Sequence, residues 1–131
     1  MPMVREIMTP NFRTVERNLS VSEVAGIFEA EKIGGAPLVD GDGNIVGLVS
    51  KSDIVHFEFV GGDPFQARVS EIASPRVLTV DASCPLADAA RKMLEEHVHR
   101  LMVVDGEAYV GILTSMDFVA LALEADEIGR G

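Results

Sequence analysis

The residue types best suited to chemistry lie in two matching stretches, residues 47–53 and 111–117. Each stretch has the order glycine, two apolar residues, Ser or Thr, two further residues and Asp. The glycine allows the backbone to approach another group closely. The hydroxyl lies where a helix N-cap is expected, and the carboxylate three residues later lies on the same face of the first turn. The side chains concerned are Ser50, Asp53, Thr114 and Asp117.

Two interpretations of this spacing stay open. Unpaired N–H groups and the positive end of the dipole make a helix N-terminus suitable for an anion such as phosphate. A hydroxyl facing a phosphate oxygen and a carboxylate facing a sugar diol would together form a nucleotide site. The same Ser/Thr-x-x-Asp spacing is also a variant of the ordinary capping box, which only closes the start of a helix. The presence of two copies in matching positions favours the nucleotide site.

An internal repeat organises the chain. Residues 4–10 match residues 69–75 at an offset of 65 positions, and the offset falls to 64 at the glycine-containing stretches. The first repeat has one more residue in its central turn. We therefore predict two repeats, residues 1–62 and 63–131, which together form one globular module.

The apolar periodicity and the turn signals predict the same order of elements in each repeat, β-α-β-β-α after a short helical turn. Ser20 and Glu23 form a capping box at the first helix, Gly34 is expected to end it, and Pro85 opens its counterpart. The predicted strands are 13–15, 36–39, 45–49, 78–80, 101–104 and 109–113, and the predicted second helices are 51–60 and 115–125. We expect an α/β (α+β) fold in which the repeats pack with pseudo-twofold symmetry, leaving clefts where they meet. Residues 124–131 are expected to form a frayed acidic tail.

The composition limits the classes of function. The chain has 131 residues, 47% of them apolar, which suits one compact domain with a real core. A formal charge of −10 argues against nucleic acid as the main partner, although a local basic pocket stays possible. The longest apolar run, 118–123, is too short to span a bilayer. The start lacks a signal-like apolar run, and with a single cysteine the sequence favours a reducing cytoplasm.

Other candidate sites are weaker. His97 and His99 could begin a metal site, but no cysteine or third histidine lies at a useful spacing, so we predict no metal. Cys84 has no partner base nearby in sequence. No combination of nucleophile, base and orienting group is evident, and we therefore predict that the protein is not an enzyme.

The segment 40–44 resembles the first ligands of a calcium loop. The glycine expected at the sixth position of such a loop and the glutamate at the twelfth are missing. We therefore interpret this segment as a hairpin turn.

The second helices carry apolar residues on nearly every side, most clearly in 118–123. Such a helix is either fully buried or meets another chain on one side. The twin helix has the same character, with Ile54, Val55, Phe57, Phe59 and Val60. We predict a homodimer built largely from these helices.

Taken together, the chain resembles a tandem pair of CBS domains, the family named after cystathionine β-synthase. The resemblance covers Val4 to about Ala125 and rests on the two Gly-h-h-Ser/Thr-x-x-Asp stretches, where h is apolar, and on segments 36–40 and 99–105. It implies a regulatory role such as energy sensing, a dimer of two pairs, and clefts between the repeats. These clefts would bind AMP, ADP, ATP, S-adenosylmethionine or an NAD-type molecule.

The resemblance also implies roles for individual residues. Asp53 and Asp117 would accept hydrogen bonds from ribose hydroxyls, and Ser50 and Thr114 would face phosphates. Thr14 and Thr79 would lie near the ligand of the opposite motif. The residues implied to flank the base are Leu48, Val49, Ile112 and Leu113. His99 and Arg100 match positions that often hold phosphate, whereas the first repeat has Gly34-Gly35 there, so we expect unequal clefts.

Two classes of function remain. The first is a sensor in which an adenosyl ligand alters the activity of an unknown regulated protein. The second is an interaction or dimerisation scaffold whose nucleotide clefts are vestigial. The intact aspartate in both motifs favours the sensor.

Overall fold

The computed structural model describes residues 2–130, apart from the side chains of residues 128 and 130. The predicted order β-α-β-β-α occurs twice. The elements are α1 (Val4–Ile7), β1 (Val15–Glu16), α2 (Val21–Glu31), β2 (Gly35–Val39), β3 (Ile45–Ser50), α3 (Lys51–Phe59), a 3₁₀ turn (Val69–Glu71), β4 (Thr79–Asp81), α4 (Leu86–Glu96), β5 (Arg100–Asp105), β6 (Ala108–Thr114) and α5 (Ser115–Arg130). The mixed α/β class is confirmed.

Each repeat contributes a three-stranded sheet, in the orders β1-β2-β3 and β4-β5-β6. The first two strands of each sheet are parallel, and the last two form an antiparallel hairpin. In both hairpins the register shifts at the same place, after Leu38 and after Val103. The duplication therefore extends to a β-bulge, which re-aims the side chains on either side of it.

The compact units of the structure do not follow the sequence repeats. One unit, here called the first-repeat unit, is Arg13–Val77. The other, called the second-repeat unit, contains Leu78 and the residues after it together with Phe12 and the residues before it. The N-terminal segment thus packs with the second repeat, and Val4 is fully buried in that core. In return, residues 63–77 of the second predicted repeat belong to the first-repeat unit, so the two repeats exchange segments. Sequence similarity between the repeats does not reveal this exchange.

Each unit has its own aliphatic core, as the low aromatic content predicts. The core of the first-repeat unit consists of Val15, Val21, Val24, Phe28, Ala36, Leu38, Val49, Ile54 and Val69. The core of the second-repeat unit consists of Val4, Val80, Ala82, Leu86, Ala89, Met93, Leu101, Val103 and Leu113. Leu94 of α4 lies outside this core and is 76% exposed.

The prediction that Gly34 ends the first helix is wrong. The C-cap residue of α2 is Lys32, which takes the left-handed conformation with φ 55°, and His97 caps α4 in the same way. The N–H groups of Lys32 and Ile33 both reach the carbonyl oxygen of Phe28, so the last turn is closed before Gly34. Such a cap usually has glycine, which adopts this conformation without steric cost.

Two other details differ from expectation. At the start of α2, Ser20 Oγ accepts from the Glu23 N–H at 3.0 Å. The Glu23 carboxylate accepts from the Ser20 hydroxyl instead of the Ser20 N–H, so only half of the capping box forms. Helix α5 continues to Arg130 instead of fraying from Glu124, since Ala125 and Glu127 favour a helix, no proline interrupts it, and Gly129 comes only at its end. Within residues 2–130, no helix combines the length and apolar character that crossing a membrane requires.

Candidate functional site

The first motif forms the start of α3. Ser50 is the N-cap residue, and its N–H donates to Asp53 Oδ2 at 2.8 Å. In return, the Asp53 N–H donates to Ser50 Oγ at 3.2 Å. This reciprocal pair is a capping box, so the structural interpretation of the Ser/Thr-x-x-Asp spacing is confirmed for this copy.

The second motif forms the start of α5 with a different use of the hydroxyl. The Thr114 N–H donates to Asp117 Oδ2 at 2.8 Å, as in the first motif. The Thr114 hydroxyl also donates to Asp117 Oδ2, at 3.3 Å. In this copy the carboxylate therefore receives both contacts, and the hydroxyl acts as a donor.

Capping leaves part of each carboxylate available. In both motifs the contacts go to Oδ2, and within residues 2–130 no hydrogen bond reaches Oδ1 of Asp53 or Asp117. An ionised carboxylate has about four acceptor positions, so a cap and a ligand hydroxyl can share it. Both side chains are half-buried and held at a helix start. The two interpretations of the motif are thus compatible with each other.

The close approach predicted for the motif glycines is confirmed, and the approaching group is the chain itself. A Cβ on Gly47 would lie 2.8 Å from the Ser74 carbonyl oxygen, and one on Gly111 would lie 2.5 Å from Met8 Sδ. Beside Gly47, Leu48 and Ser74 exchange two backbone hydrogen bonds of 2.9 Å. Beside Gly111, Ile112 and Thr9 form the same bridge.

The apolar motif residues lie on opposite faces of their sheets. Val49 and Leu113 are buried in the cores of their units. Side chains alternate along a strand, so Leu48 and Ile112 are directed to the other face. Any contact of Val49 or Leu113 with a base would therefore be made by the main chain, and that these four residues flank a base stays a prediction.

The second-repeat unit brings several predicted residues onto one sheet. Thr79 opens β4 opposite Met102, which in turn lies opposite Ile112. Arg100 lies opposite Thr114 in the β5–β6 hairpin. His99 precedes β5 and is exposed, and its carbonyl oxygen accepts from the Ser115 N–H at 3.0 Å.

The first-repeat unit differs at the corresponding places. Gly35 lies opposite Ser50, so it takes the register position that Arg100 has in the second sheet. Thr14 is half-buried just before β1, and its carbonyl oxygen accepts from Arg13 Nη1 at 3.0 Å. That Thr14 and Thr79 each serve the opposite motif stays a prediction.

Lys92 is a residue of this region that the sequence analysis missed. Its ammonium group, on α4, donates to the Thr79 carbonyl oxygen at 2.6 Å. The preceding carbonyl, of Leu78, accepts from the Met102 N–H, so the Thr79 carbonyl points off the free edge of β4. The repeat counterpart of Lys92 is Ile27, and this replacement of an apolar residue by a cation is the signal that could have found it.

The structure describes two kinds of group that the sequence raised as candidates for chemistry, the cysteine and a metal cluster. Burial raises the pKa of the Cys84 thiol, and the charges of Asp88 and Asp81 raise it further. The thiol therefore stays protonated at neutral pH and is a poor nucleophile. Within the described part of the chain, no three His, Cys, Asp or Glu side chains lie close enough together to hold a metal ion.

The segment that resembles a calcium loop is a turn. Asp40 Oδ1 accepts from the N–H groups of Asp42 and Asn44, each at 2.9 Å. The bond from the Asn44 N–H contributes most to a lowered pKa of the Asp40 carboxyl. The carboxylate thus serves the backbone of its own hairpin, and the turn interpretation is confirmed.

Comparison with known proteins identifies the family. The CBS domain family model matches this chain twice, at residues 4–59 and 69–124. The chain therefore belongs to the CBS domain family and carries two such domains in tandem.

Similar proteins of known sequence or structure agree with this family assignment. Protein MJ1225 of Methanocaldococcus jannaschii is 30% identical over 118 residues, which is 90% of this chain and 42% of that protein. The chain thus spans about two fifths of that relative. The CBS domain pair of protein MJ0100, solved with 5′-methylthioadenosine and S-adenosyl-L-methionine, aligns with TM-score 0.85 and 28% identity over 95% of this chain and 98% of that one. CBSX2, solved with AMP, aligns with TM-score 0.79 and 31% identity over 96% and 99% of the two chains.

Proposed function

We propose that this protein is a regulatory module that binds an adenosine-containing ligand at its two Asp motifs and signals occupancy to a partner protein. A ligand can signal only through different affinities for two arrangements of the protein or its assembly. Two structural relatives support the ligand class, since one was solved with AMP and the other with 5′-methylthioadenosine and S-adenosyl-L-methionine.

The observation that carries the proposal is the state of the two motif carboxylates. Asp53 and Asp117 are each fixed through Oδ2 to a backbone N–H, and no donor from the described residues 2–130 reaches Oδ1. A ribose diol supplies hydroxyl donors for such an oxygen. Because the cap already holds the carboxylate in place, binding a ribose would cost little side-chain entropy.

The charges near the two motifs favour the second motif for an anionic ligand. Arg100 lies opposite Thr114, whereas Gly35 lies opposite Ser50. Lys51 could compensate in the first motif, but it is an exposed, mobile point charge. A hydrogen bond to a charged group contributes about 1.5–3 kcal/mol, so losing one weakens binding roughly ten- to a hundredfold. We therefore propose that the Asp117 motif, with Thr114, His99 and Arg100, binds AMP more tightly than the Asp53 motif does.

The test is calorimetry with AMP, adenosine and 5′-methylthioadenosine on the unmodified protein and its variants. Asp53→Asn and Asp117→Asn keep one acceptor for the cap and replace the other oxygen by a donor. We expect Asp117→Asn to remove the tightest AMP event, and Arg100→Ala to weaken AMP far more than adenosine. Asp105→Asn, an exposed aspartate outside both motifs, is the matched control.

The outcomes separate the possibilities. If only Asp53→Asn removes the tightest AMP binding event, the Asp53 motif and not the Asp117 motif is the tighter site. Unchanged affinity for every ligand in all three motif variants would contradict a sensor of this kind. We also expect no phosphate release from ATP, because the sequence indicates no base to activate water, and the motif carboxylates hold helix caps.

The alternative is a dimerisation scaffold with vestigial ligand sites, and one feature favours an assembly in either case. Val119 on α5 is 56% exposed and Phe59 on α3 is 87% exposed, in line with helices that meet a second chain. We propose a homodimer, to be checked by light scattering at micromolar concentration. Val119→Asp is a cleaner disruption than a change at Leu121, because Leu121 packs on the core of its own unit.

A further inference from the structure

Lys92 is a cation beside one of the predicted ligand residues, and the proposed site does not include it. Its ammonium group reaches from α4 to the Thr79 carbonyl oxygen, at the free edge of β4. The side chain is half-buried, and this bond fixes one of its three N–H donors. Among residues 2–130, no carboxylate forms an ion pair with Lys92. A positive charge that no described carboxylate neutralises is therefore held at the start of β4.

The corresponding carbonyl of the first-repeat unit has a different kind of partner. The Thr14 carbonyl oxygen accepts from Arg13 Nη1 at 3.0 Å, so it too is bonded to a cation. Arg13 also forms a salt bridge of 3.0 Å with Glu31 on α2, which offsets its charge. The repeat counterpart of Lys92 is Ile27, which carries no charge. Of the two cations, only Lys92 lacks a carboxylate partner among the described residues.

The acidic residues near Lys92 do not account for this difference. Burial raises the pKa of the Cys84 thiol most, and the charges of Asp88 and Asp81 raise it further. Lys92 lowers the pKa of the same thiol, so these charges lie within electrostatic range of one another. The two aspartates have acidic counterparts in the first repeat, Glu16 and Glu23. At these positions the electrostatic difference between the units therefore comes from the cation.

The Lys92 charge lies close to the side chain that the resemblance assigns to a ligand. The carbonyl oxygen and the hydroxyl of one threonine are about 3–5 Å apart, so the ammonium group lies within about 8 Å of the Thr79 hydroxyl. The Debye length at physiological ionic strength is also about 8 Å, so dissolved ions screen the charge only in part. A ligand that contacts the Thr79 hydroxyl would therefore interact with this charge.

We infer that Lys92 is a specificity-determining residue of the proposed ligand site, because its charge at Thr79 favours an adenosyl ligand with a 5′-phosphate over one with a neutral or cationic 5′ group. The inference rests on the proposed function and on the role predicted for Thr79, and it adds a preference within that ligand class. AMP carries a phosphate at the 5′ position, 5′-methylthioadenosine a neutral thioether and S-adenosylmethionine a positive sulfonium. Removing one cation should therefore affect the three ligands differently.

The test is calorimetry with these three ligands on Lys92→Met and Lys92→Arg. Methionine keeps much of the lysine stem and removes the charge, whereas arginine keeps the charge. One unit charge about 8 Å away, in surroundings between the protein surface and water in polarity, changes affinity by about two- to tenfold. We expect Lys92→Met to weaken AMP by such a factor, to leave 5′-methylthioadenosine nearly unchanged, and to bind S-adenosylmethionine at least as tightly as the unmodified protein. Lys92→Arg should keep the preference for AMP.

A second measurement needs no substitution. Added NaCl screens the Lys92 charge, so the preference of the unmodified protein for AMP over 5′-methylthioadenosine should fall as the salt concentration rises. The fall should be smaller in Lys92→Met. A preference that salt leaves unchanged in the unmodified protein would contradict the inference even if Lys92→Met did not fold.

The matched control is Arg91→Met, which removes the neighbouring exposed cation of α4, one that is paired with Asp88. An equal loss of affinity for AMP and 5′-methylthioadenosine in Lys92→Met would overturn the inference, because it would show that Lys92 only supports the Thr79 carbonyl. An AMP affinity that Lys92→Met leaves unchanged, or the same shift in Arg91→Met, would also count against it. If the unmodified protein binds none of the three ligands, the proposed function itself fails and the inference fails with it.

Discussion

At the scale of single residues, the two motifs reach the same geometry with different hydrogen bonds. Ser50 accepts from the backbone of the first helical turn, whereas the Thr114 hydroxyl donates to a carboxylate. The Ser/Thr-x-x-Asp spacing predicts the residues involved but not the direction of the hydroxyl bond. That direction depends on the rotamer, which the surrounding packing decides.

Because the two hydroxyls have different roles, removing each should change the free energy of unfolding by a different amount. Ser50→Ala removes an N-cap acceptor, and we expect it to lower the free energy of unfolding by about 1 kcal/mol. Thr114→Ala should cost less, because the Thr114 N–H still reaches Asp117 Oδ2. Urea denaturation of both variants compares them directly. An equal or greater loss for Thr114→Ala would show that the hydroxyl roles are assigned incorrectly.

Asp81 gives a prediction on pH. The Ser83 hydroxyl and the Ser83 N–H both donate to Asp81 Oδ1, at 2.6 and 2.8 Å, and they lower the pKa of this exposed carboxyl, the hydroxyl most. A pKa lower in the folded than in the unfolded protein means stability that is present above the unfolded value. This stability is lost as the pH falls through the folded value.

We therefore expect an NMR titration to place the Asp81 pKa below 3.8, its ordinary value. Ser83→Ala removes the hydroxyl donor and should move the pKa back up towards that value. A titration of Asp81 that Ser83→Ala leaves unchanged would contradict this account.

At the scale of elements, the features that depend on local chemistry could be predicted from the sequence. The hairpin at Asp40, the helix start at Ser20 and the order of strands follow from turn residues, caps and periodicity, and all are present. The end of α2 was missed because Lys32 takes a conformation that sequence rules reserve for glycine. Which of the apolar motif residues face a core could not be predicted, because the position of a strand relative to its core is a tertiary property.

The two motif glycines provide a matched test of the bridges beside them. In Gly47→Ala the new Cβ meets a backbone oxygen, that of Ser74, which cannot move without breaking the bridge to Leu48. In Gly111→Ala the nearest atom is Sδ of the flexible Met8 side chain, and the Thr9 carbonyl oxygen lies farther away, at 3.1 Å. We expect Gly47→Ala to destabilise by about 1–3 kcal/mol and Gly111→Ala by less. Thermal unfolding measures both, and the reverse order would contradict the proposed contacts.

At the scale of the whole molecule, the exchange of segments is the feature that sequence analysis could not supply. The first helical turn of each repeat looks alike in sequence, and similarity assigns it to the repeat that follows. In the structure, Val4 belongs to the core of the second-repeat unit, where its N–H donates to the Cys84 carbonyl oxygen at 2.9 Å. Contacts between distant parts of a chain leave no local signature.

This assignment can be tested with Val4→Ala. The change leaves a cavity in the second-repeat core, and we expect a loss of about 2 kcal/mol in the stability of that unit. Hydrogen exchange should show the loss of protection in β4, β5 and β6, although the mutation lies in the first repeat. Tyr109, the only tyrosine, lies on β6 and offers a fluorescence probe of the same unit. Loss of protection confined to β1, β2 and β3 would contradict the exchange.

The exchange also has a consequence for biosynthesis. The ribosome makes the chain from its N-terminus, so the first-repeat unit, Arg13–Val77, is complete while the second is still being synthesised. The opening segment with Val4 must wait until β4, α4 and β5 have emerged before it finds its core. During that interval its apolar side chains stay exposed. We therefore expect the first-repeat unit to fold before the second, with the segment before Arg13 among the last parts of this chain to reach its final position.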